Sequence, residues 1–137
     1  MAWWKFYDRQ IRQSFRGDLV GAAINWPGVE KHPVPAYLNS GCGAVSLAAS
    51  RGAKRVILVG YDCKKSGGNV HHHGDHPPSL GNAKSMSKWF PRFDKLAADM
   101  KRLRVEVLNA SRETALTCFP RIDLETALAD RDHASPE

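Results

Sequence analysis

From Lys54 to Gly60 the chain reads Lys-Arg-Val-Ile-Leu-Val-Gly. A short run of β-branched residues with no polar alternation predicts a strand buried on both faces of a parallel sheet. Its charged start and glycine end suit a strand that enters from solvent and stops at a site. A second strand is predicted over Val105-Glu106-Val107-Leu108, ending in Asn109-Ala110-Ser111. Between the two, Met86, Trp89, Phe90, Phe93, Leu96, Ala97, Met100 and Leu103 recur every three or four residues, the pattern of an amphipathic helix. Pro91 either kinks that helix or separates a short one from a longer one starting near Arg92. Alternation of this kind implies parallel strands joined by right-handed crossovers. The expected fold is α/β and Rossmann-like, three-layered, with a short, mainly parallel sheet: a partial doubly wound fold.

The rest of the chain fits around that unit. Trp4, Tyr7, Ile11 and Phe15 give residues 3–15 one apolar helical face, read as core. Leu19 to Ile24 suits a short strand, and the prolines and glycine between 27 and 37 predict a loop. Ala44 to Ser50 reads as a short helix of small residues, stopped by Gly52 in a left-handed cap. Residues 61–83 form a long polar loop, and loops of that length are usually functional or mobile. Thr114 to Pro120 suits an extended segment, Asp123 a cap for a helix over Leu124 to Ala129, and the residues from Arg131 a frayed tail. With 137 residues the chain has room for one domain. Residues 1–36 form its helix and connecting segment, 37–130 the core and 131–137 the tail.

Composition excludes several classes. A hydrophobic fraction of 42% with 25% charged residues is that of a globular chain. No apolar run approaches the roughly 20 residues of a membrane span, and the N-terminus lacks a signal-peptide pattern, so a cytoplasmic location is expected. Cys42, Cys63 and Cys118 form no paired spacing and read as free thiols. The net charge of +6 favours anionic partners. Lys and Arg are spread along the chain, so solvated surface is favoured over a dedicated DNA-binding face. Half a sheet would leave an open edge, which makes self-association into a homo-oligomer an expectation.

Three loops fall at strand carboxyl ends, where open parallel sheets bind ligands: Asn39–Gly43, Tyr61–Gly81 and Asn109–Thr114. In Asn39-Ser40-Gly41-Cys42-Gly43, Ser40 can cap the following helix or donate to a ligand, and the glycines admit a close backbone approach. A plain capped turn explains the same residues equally well. Tyr61 and Asp62 close the buried strand; Asp62 suits a ribose hydroxyl, a metal or a loop cap. Arg112 suits a phosphate or carboxylate, or a surface pair with Glu113. Cys118 reads as buried and inert.

His71-His72-His73-Gly74-Asp75-His76 holds four of the six histidines. Histidine serves as general base, general acid or metal ligand near neutrality. The first reading is a general acid–base group for transfer, with His73, His76 and Asp75 as the catalytic candidates. A divalent-metal site on His71, His73, Asp75 and His76 comes second, and an exposed loop without chemistry third.

Taken in order, Asn39-Ser40-Gly41, the run Gly52 to Asp62, His73-Gly74-Asp75-His76-Pro77 and Val107 to Arg112 resemble a group of phage and prophage proteins. These are similar to the archaeal 6-hydroxymethylpterin diphosphokinase-like domain and, more distantly, to bacterial sialyltransferases that use a CMP-sugar donor. The resemblance covers about residues 37–128. It implies that Ser40 and Gly41 touch a nucleotide and that His73 or His76 is the general base. It also implies an earlier strand–loop half that does not precede Met1-Ala2-Trp3-Trp4, the alternatives being a truncated chain and a shortened protein that lost its donor site. The expected function is a nucleotide-dependent transferase, glycosyl or pyrophosphoryl, with a nucleotide or nucleotide-sugar as ligand and a divalent metal as the other candidate cofactor. The rival is a non-enzymatic phage protein binding a nucleotide, nucleic acid or a host protein.

Overall fold

The computed structural model describes residues 2–21, 25–64 and 86–129. The chain is α/β with parallel strand pairs. It divides into two compact units, of which the described residues up to 33 form one and residues 34–64 with 86–129 the other.

In the first unit, helix α1 spans Ala2–Ser14. Trp4 is buried and Tyr7 and Ile11 half-buried, but Phe15 is 51% exposed, so the apolar face ends a turn earlier than its spacing implies. Asp8 organises the unit: its Oδ1 accepts from Arg12 Nε (2.8 Å) and from the Trp26 indole (2.9 Å). Strands β1 (Val20–Gly21) and β2 (Glu30–Lys31) pair in parallel, with Val20 opposite Glu30. β2 lies inside the segment read as loop. A strand of two exposed residues carries no hydrophobic period to betray it.

In the second unit, helix α2 spans Ser40–Ser50 and begins four residues before the predicted Ala44. The turn before it is tightly held. Tyr37 and Leu38 both take left-handed backbone (φ 55° and 53°). The Tyr37 hydroxyl donates to Asp99 (2.7 Å) and Arg92 donates to the Leu38 carbonyl (2.6 Å). The cap is Asn39, whose Oδ1 accepts from Cys42 N–H (3.0 Å); Ser40 is the first helical residue. At the other end, Ala53 N–H donates to Ala48 O and Gly52 N–H to Ala49 O, a Schellman closure around left-handed Gly52.

Strand β3 (Arg55–Leu58) pairs in parallel with β4 (Glu106–Asn109), from Arg55 opposite Glu106 to Leu58 opposite Asn109. Only Leu58 of β3 is buried and Val59 is 58% exposed, which corrects the expectation of burial on both faces. Among the described residues β3 has one partner strand, and a strand at the margin of a sheet stays half-covered. The outer edge of β4 is extended by one further parallel bridge, Asn109 to Arg121. Thr114–Pro120 forms no strand.

Met86–Lys88 forms a short 3-10 turn and helix α3 spans Phe90–Arg102, with Pro91 at its first turn. Proline is accommodated there because those N–H groups have no helical partner. The core gathers on α3: Phe93, Leu96 and Met100 pack with Cys42 and Val45 of α2, Leu58, Val107, Leu116 and Phe119. α3 closes as α2 does, with Arg104 N–H donating to Lys101 O and Val105 N–H to Met100 O. Here, however, the left-handed residue is Arg104 (φ 57°). Arg104→Gly is therefore expected to raise stability by about 0.5–1 kcal/mol, read as a higher urea midpoint with unchanged slope. The last helix, α4 (Leu124–Ala129), is capped as expected by Asp123, which accepts from Thr126 N–H (2.7 Å) and Glu125 N–H (3.2 Å).

Candidate functional site

The carboxyl ends of β3 and β4 are locked together by hydrogen bonds around one residue, Tyr61. Its N–H donates to Ser111 Oγ (2.8 Å), its carbonyl accepts from Thr114 Oγ1 (2.6 Å), and its hydroxyl donates to the Gly41 carbonyl (3.2 Å). Its ring stands edge-on to Phe93 at 6.0 Å. The next residue continues the seam, as Ala115 N–H donates to the Asp62 carbonyl (2.8 Å).

Asn109, fully buried, fixes the other side. Its Oδ1 accepts from Ser111 N–H (3.0 Å) and its Nδ2 donates to Thr114 Oγ1 (3.3 Å). Polar side chains that bond to nearby backbone in this way shape a turn without helix or sheet. Arg121 then reaches back, donating to the carbonyls of Ser111 (2.7 Å) and Arg112 (3.0 Å).

Beyond these ends lies a cleft of about 1020 Å³. The end of β3 supplies Val59, Gly60 and Asp62, and the end of β4 supplies Ala110 to Glu113. The segment Arg121 to Glu125, leading into α4, forms the remaining wall. Gly60 is left-handed (φ 74°), and a Cβ there would meet open space, so its backbone conformation rather than crowding calls for glycine.

Of the described candidate residues, Asp62 and Arg112 line this cleft together. Their side chains have no partner among the described residues. Arg112 does not pair with Glu113, because Lys64 takes that carboxylate and holds it below its usual range. Asn39, Ser40, Gly41 and Tyr61 are not in the cleft wall. Gly41 has a packing reason of its own: a Cβ there would sit 3.0 Å from the Tyr61 ring, 3.2 Å from Asn39 Oδ1 and 3.5 Å from Phe93. His71, His73, Asp75 and His76 lie outside the described residues. Within the described residues no group of three or more His, Cys, Asp or Glu side chains is placed to hold a metal ion, and no helix is long and apolar enough to cross a membrane.

Sequence reasoning missed Arg121 and the roles of Asn109, Ser111 and Thr114. The available signal was a buried-strand pattern running directly into Asn-x-Ser, where short polar side chains compete for the backbone.

The three cysteines, far apart in sequence, meet in the same core. Cys42 is fully buried, and Cys63 and Cys118 are half-buried against its cluster, which corrects the expectation that Cys118 is buried. Burial pushes the Cys42 thiol up to about 12, with Cys63 and Cys118 adding to it, and Cys118 to about 11, with the Asp94 carboxylate and then Cys63 adding to it. Cys63 is raised by burial and then by the neighbouring Asp62 carboxylate. All three are therefore protonated and poorly nucleophilic near neutrality. Alkylation by iodoacetamide at pH 8 is expected to be at least about tenfold slower in the folded protein than in urea. Because the folded state holds these protons more tightly, stability is expected to fall as pH rises above 9, the ordinary thiol value, toward about 12.

Compared with protein-family models, curated proteins and solved structures, the chain finds no match in any of the three.

Proposed function

We propose that the chain is a Rossmann-like, three-layered nucleotide-binding domain of the group-transfer type, acting on a glycosyl or pyrophosphoryl donor held in the cleft at the carboxyl ends of β3 and β4. One observation supports this reading above others: two parallel strands end side by side, and Asp62 and Arg112, both without side-chain partners among the described residues, line the cleft beyond them. Ligands of open parallel sheets bind at this edge. A guanidinium can grip a phosphate through two parallel N–H donors, and a carboxylate suits the hydroxyl pair of a ribose. Val59, Ile122 and Leu124 supply apolar wall for a base or sugar ring. The volume is at the upper end of small-molecule sites, about 300–1,000 Å³.

In this reading the general base is one of the candidates offered by the sequence, which lie outside the described residues. His73 or His76, with Asp75, takes the proton of an acceptor hydroxyl as its oxygen bonds to the transferred group and the nucleotide leaves with the electrons of the broken bond. Arg112 stabilises the negative charge that gathers on the departing phosphate.

Calorimetry with a panel of nucleoside mono- and diphosphates tests binding. At least one is expected to bind, and Arg112→Ala is expected to weaken it about tenfold or more, the worth of a charge-assisted hydrogen bond. No binding across the panel would reject the reading. In a preparation with turnover, His73→Ala and His76→Ala are each assayed; full activity in both removes the histidine base. A rise in melting temperature with zinc or manganese would instead favour a metal on His71, His73, Asp75 and His76.

A further inference from the structure

Lys5, Arg9, Arg12 and Arg16 are spaced four, three and four residues apart. At about 100° per residue, helical geometry brings such positions within roughly 60° of one another around the axis. α1 is helical through the first three, and Phe15 N–H still donates to Ile11 O at 2.7 Å. Cations that look dispersed in the sequence thus form one stripe.

The stripe is not neutralised. Asp8 is the one carboxylate in residues 5–16, and it is engaged by Arg12 and the Trp26 indole. Lys5, Arg9 and Arg16 are exposed and have no partner among the described residues. Four cations against one carboxylate place half of the chain's +6 surplus on this short segment. Like charges one turn apart repel, so the arrangement works against the helix unless an anion lies along it.

We propose that this face of α1 docks on the phosphate backbone of nucleic acid. From Lys5 to Arg12 the stripe runs about 10 Å along the axis, with Arg16 just past the helix end, and duplex DNA carries a charge every 1.7 Å or so, so it spans several phosphates. Gln13 is exposed beside the stripe and adds an amide donor. An anionic membrane fits less well. A helix that lies in lipid offers it a continuous apolar face, whereas Trp4, Tyr7 and Ile11 of α1 are buried or half-buried and the exposed rings, Phe6 and Phe15, are nine residues apart and so on opposite sides of the axis. Contacts of this kind go to phosphate, so binding does not depend on base sequence.

The test is fluorescence anisotropy of the full chain with a short labelled duplex, a single DNA strand, an RNA hairpin and, in a separate arm, phosphatidylserine vesicles. At least one nucleic acid is expected to bind at low salt. With three phosphates engaged, duplex affinity is expected to fall about 40-fold between about 50 and 200 mM salt. Lys5→Ala/Arg9→Ala/Arg16→Ala is expected to weaken binding by more than tenfold and flatten the salt dependence, with unchanged circular dichroism and nucleotide binding at the cleft. Lys88→Ala/Lys101→Ala, which removes exposed cations elsewhere, is expected to bind as the parent does. Absence of binding to every nucleic acid, parental affinity in the triple variant, or tighter binding to the vesicles would each overturn the proposal.

Discussion

Phe93→Ala is expected to destabilise the fold by about 3–5 kcal/mol, the cost of emptying a well-packed aromatic site. Phe93 is 2% exposed and stands edge-on to two other rings, Tyr61 at 6.0 Å and Phe119 at 6.4 Å. Its ring edge also lies in van der Waals contact range, 3.5 Å, of the Cβ position at Gly41. Truncation therefore leaves a cavity where α2, α3 and the site loops converge, and these elements cannot collapse together while Tyr61 remains tied to Gly41, Ser111 and Thr114. The loss is a large fraction of the 5–15 kcal/mol that keeps an ordinary domain folded. Urea denaturation followed by tryptophan fluorescence measures it. A loss below about 1 kcal/mol would mean that the core is not centred on this ring. Phe93→Leu fills more of the cavity and is expected to cost less than half as much.

Asn109→Ala is expected to cost about 2–3 kcal/mol although it removes only a small polar group. The carboxamide is fully buried, and its removal strands the Ser111 N–H and one bond of Thr114 Oγ1. Buried groups left unpaired cost roughly 1–3 kcal/mol each. Under the proposed function the effect is expected to extend to nucleotide binding, because Ser111 and Thr114 are the residues that hold Tyr61 and, through it, the ends of both strands. Asn109→Asp keeps the acceptor for Ser111 N–H but buries a carboxylate. Burial raises the pKa of such a group in the folded state, so this variant is expected to regain stability as pH falls and the proton goes on. Stability that is flat with pH, or equal to that of the parent, would show that the seam does not depend on this side chain.

Much of the architecture was legible. The three- and four-residue recurrence from Met86 to Leu103 locates α3, and the two apolar runs locate β3 and β4, because burial against a common core imposes those periods. Pro91 and Asp123 act where their chemistry allows. What escaped had no period to carry it. β2 is two exposed residues, set by pairing with β1. The start of α2 lies in a stretch of small residues with no apolar face, so the cap at Asn39 rather than Ser40 is decided by the geometry of the Tyr37–Leu38 turn. The half-exposure of β3 depends on how many strands flank it, a property its own residues do not encode.

The candidate site was legible in part, for a related reason. Position at a strand end was enough to single out Asp62 and Arg112, and both line the cleft. Ser40 and Gly41 carry the look of a ligand turn, yet Gly41 is tied to Tyr61 and packed against Phe93. Arg121 gave no local signal because its partners, the Ser111 and Arg112 carbonyls, are contributed by another loop. The basic stripe on α1 was hidden in the same way, since linear spacing disperses what helical geometry aligns.

The proposed function requires a phosphate-bearing ligand at the carboxyl ends of β3 and β4. Its most direct test is amide chemical-shift mapping of the full chain during titration with the nucleotide that calorimetry selects. The expected result is a contiguous set of shifts at Gly60, Asp62, Ser111 and Arg112, absent in Arg112→Ala. Shifts confined to other parts of the chain, with these four amides unmoved at saturation, would place the ligand elsewhere and reject this site.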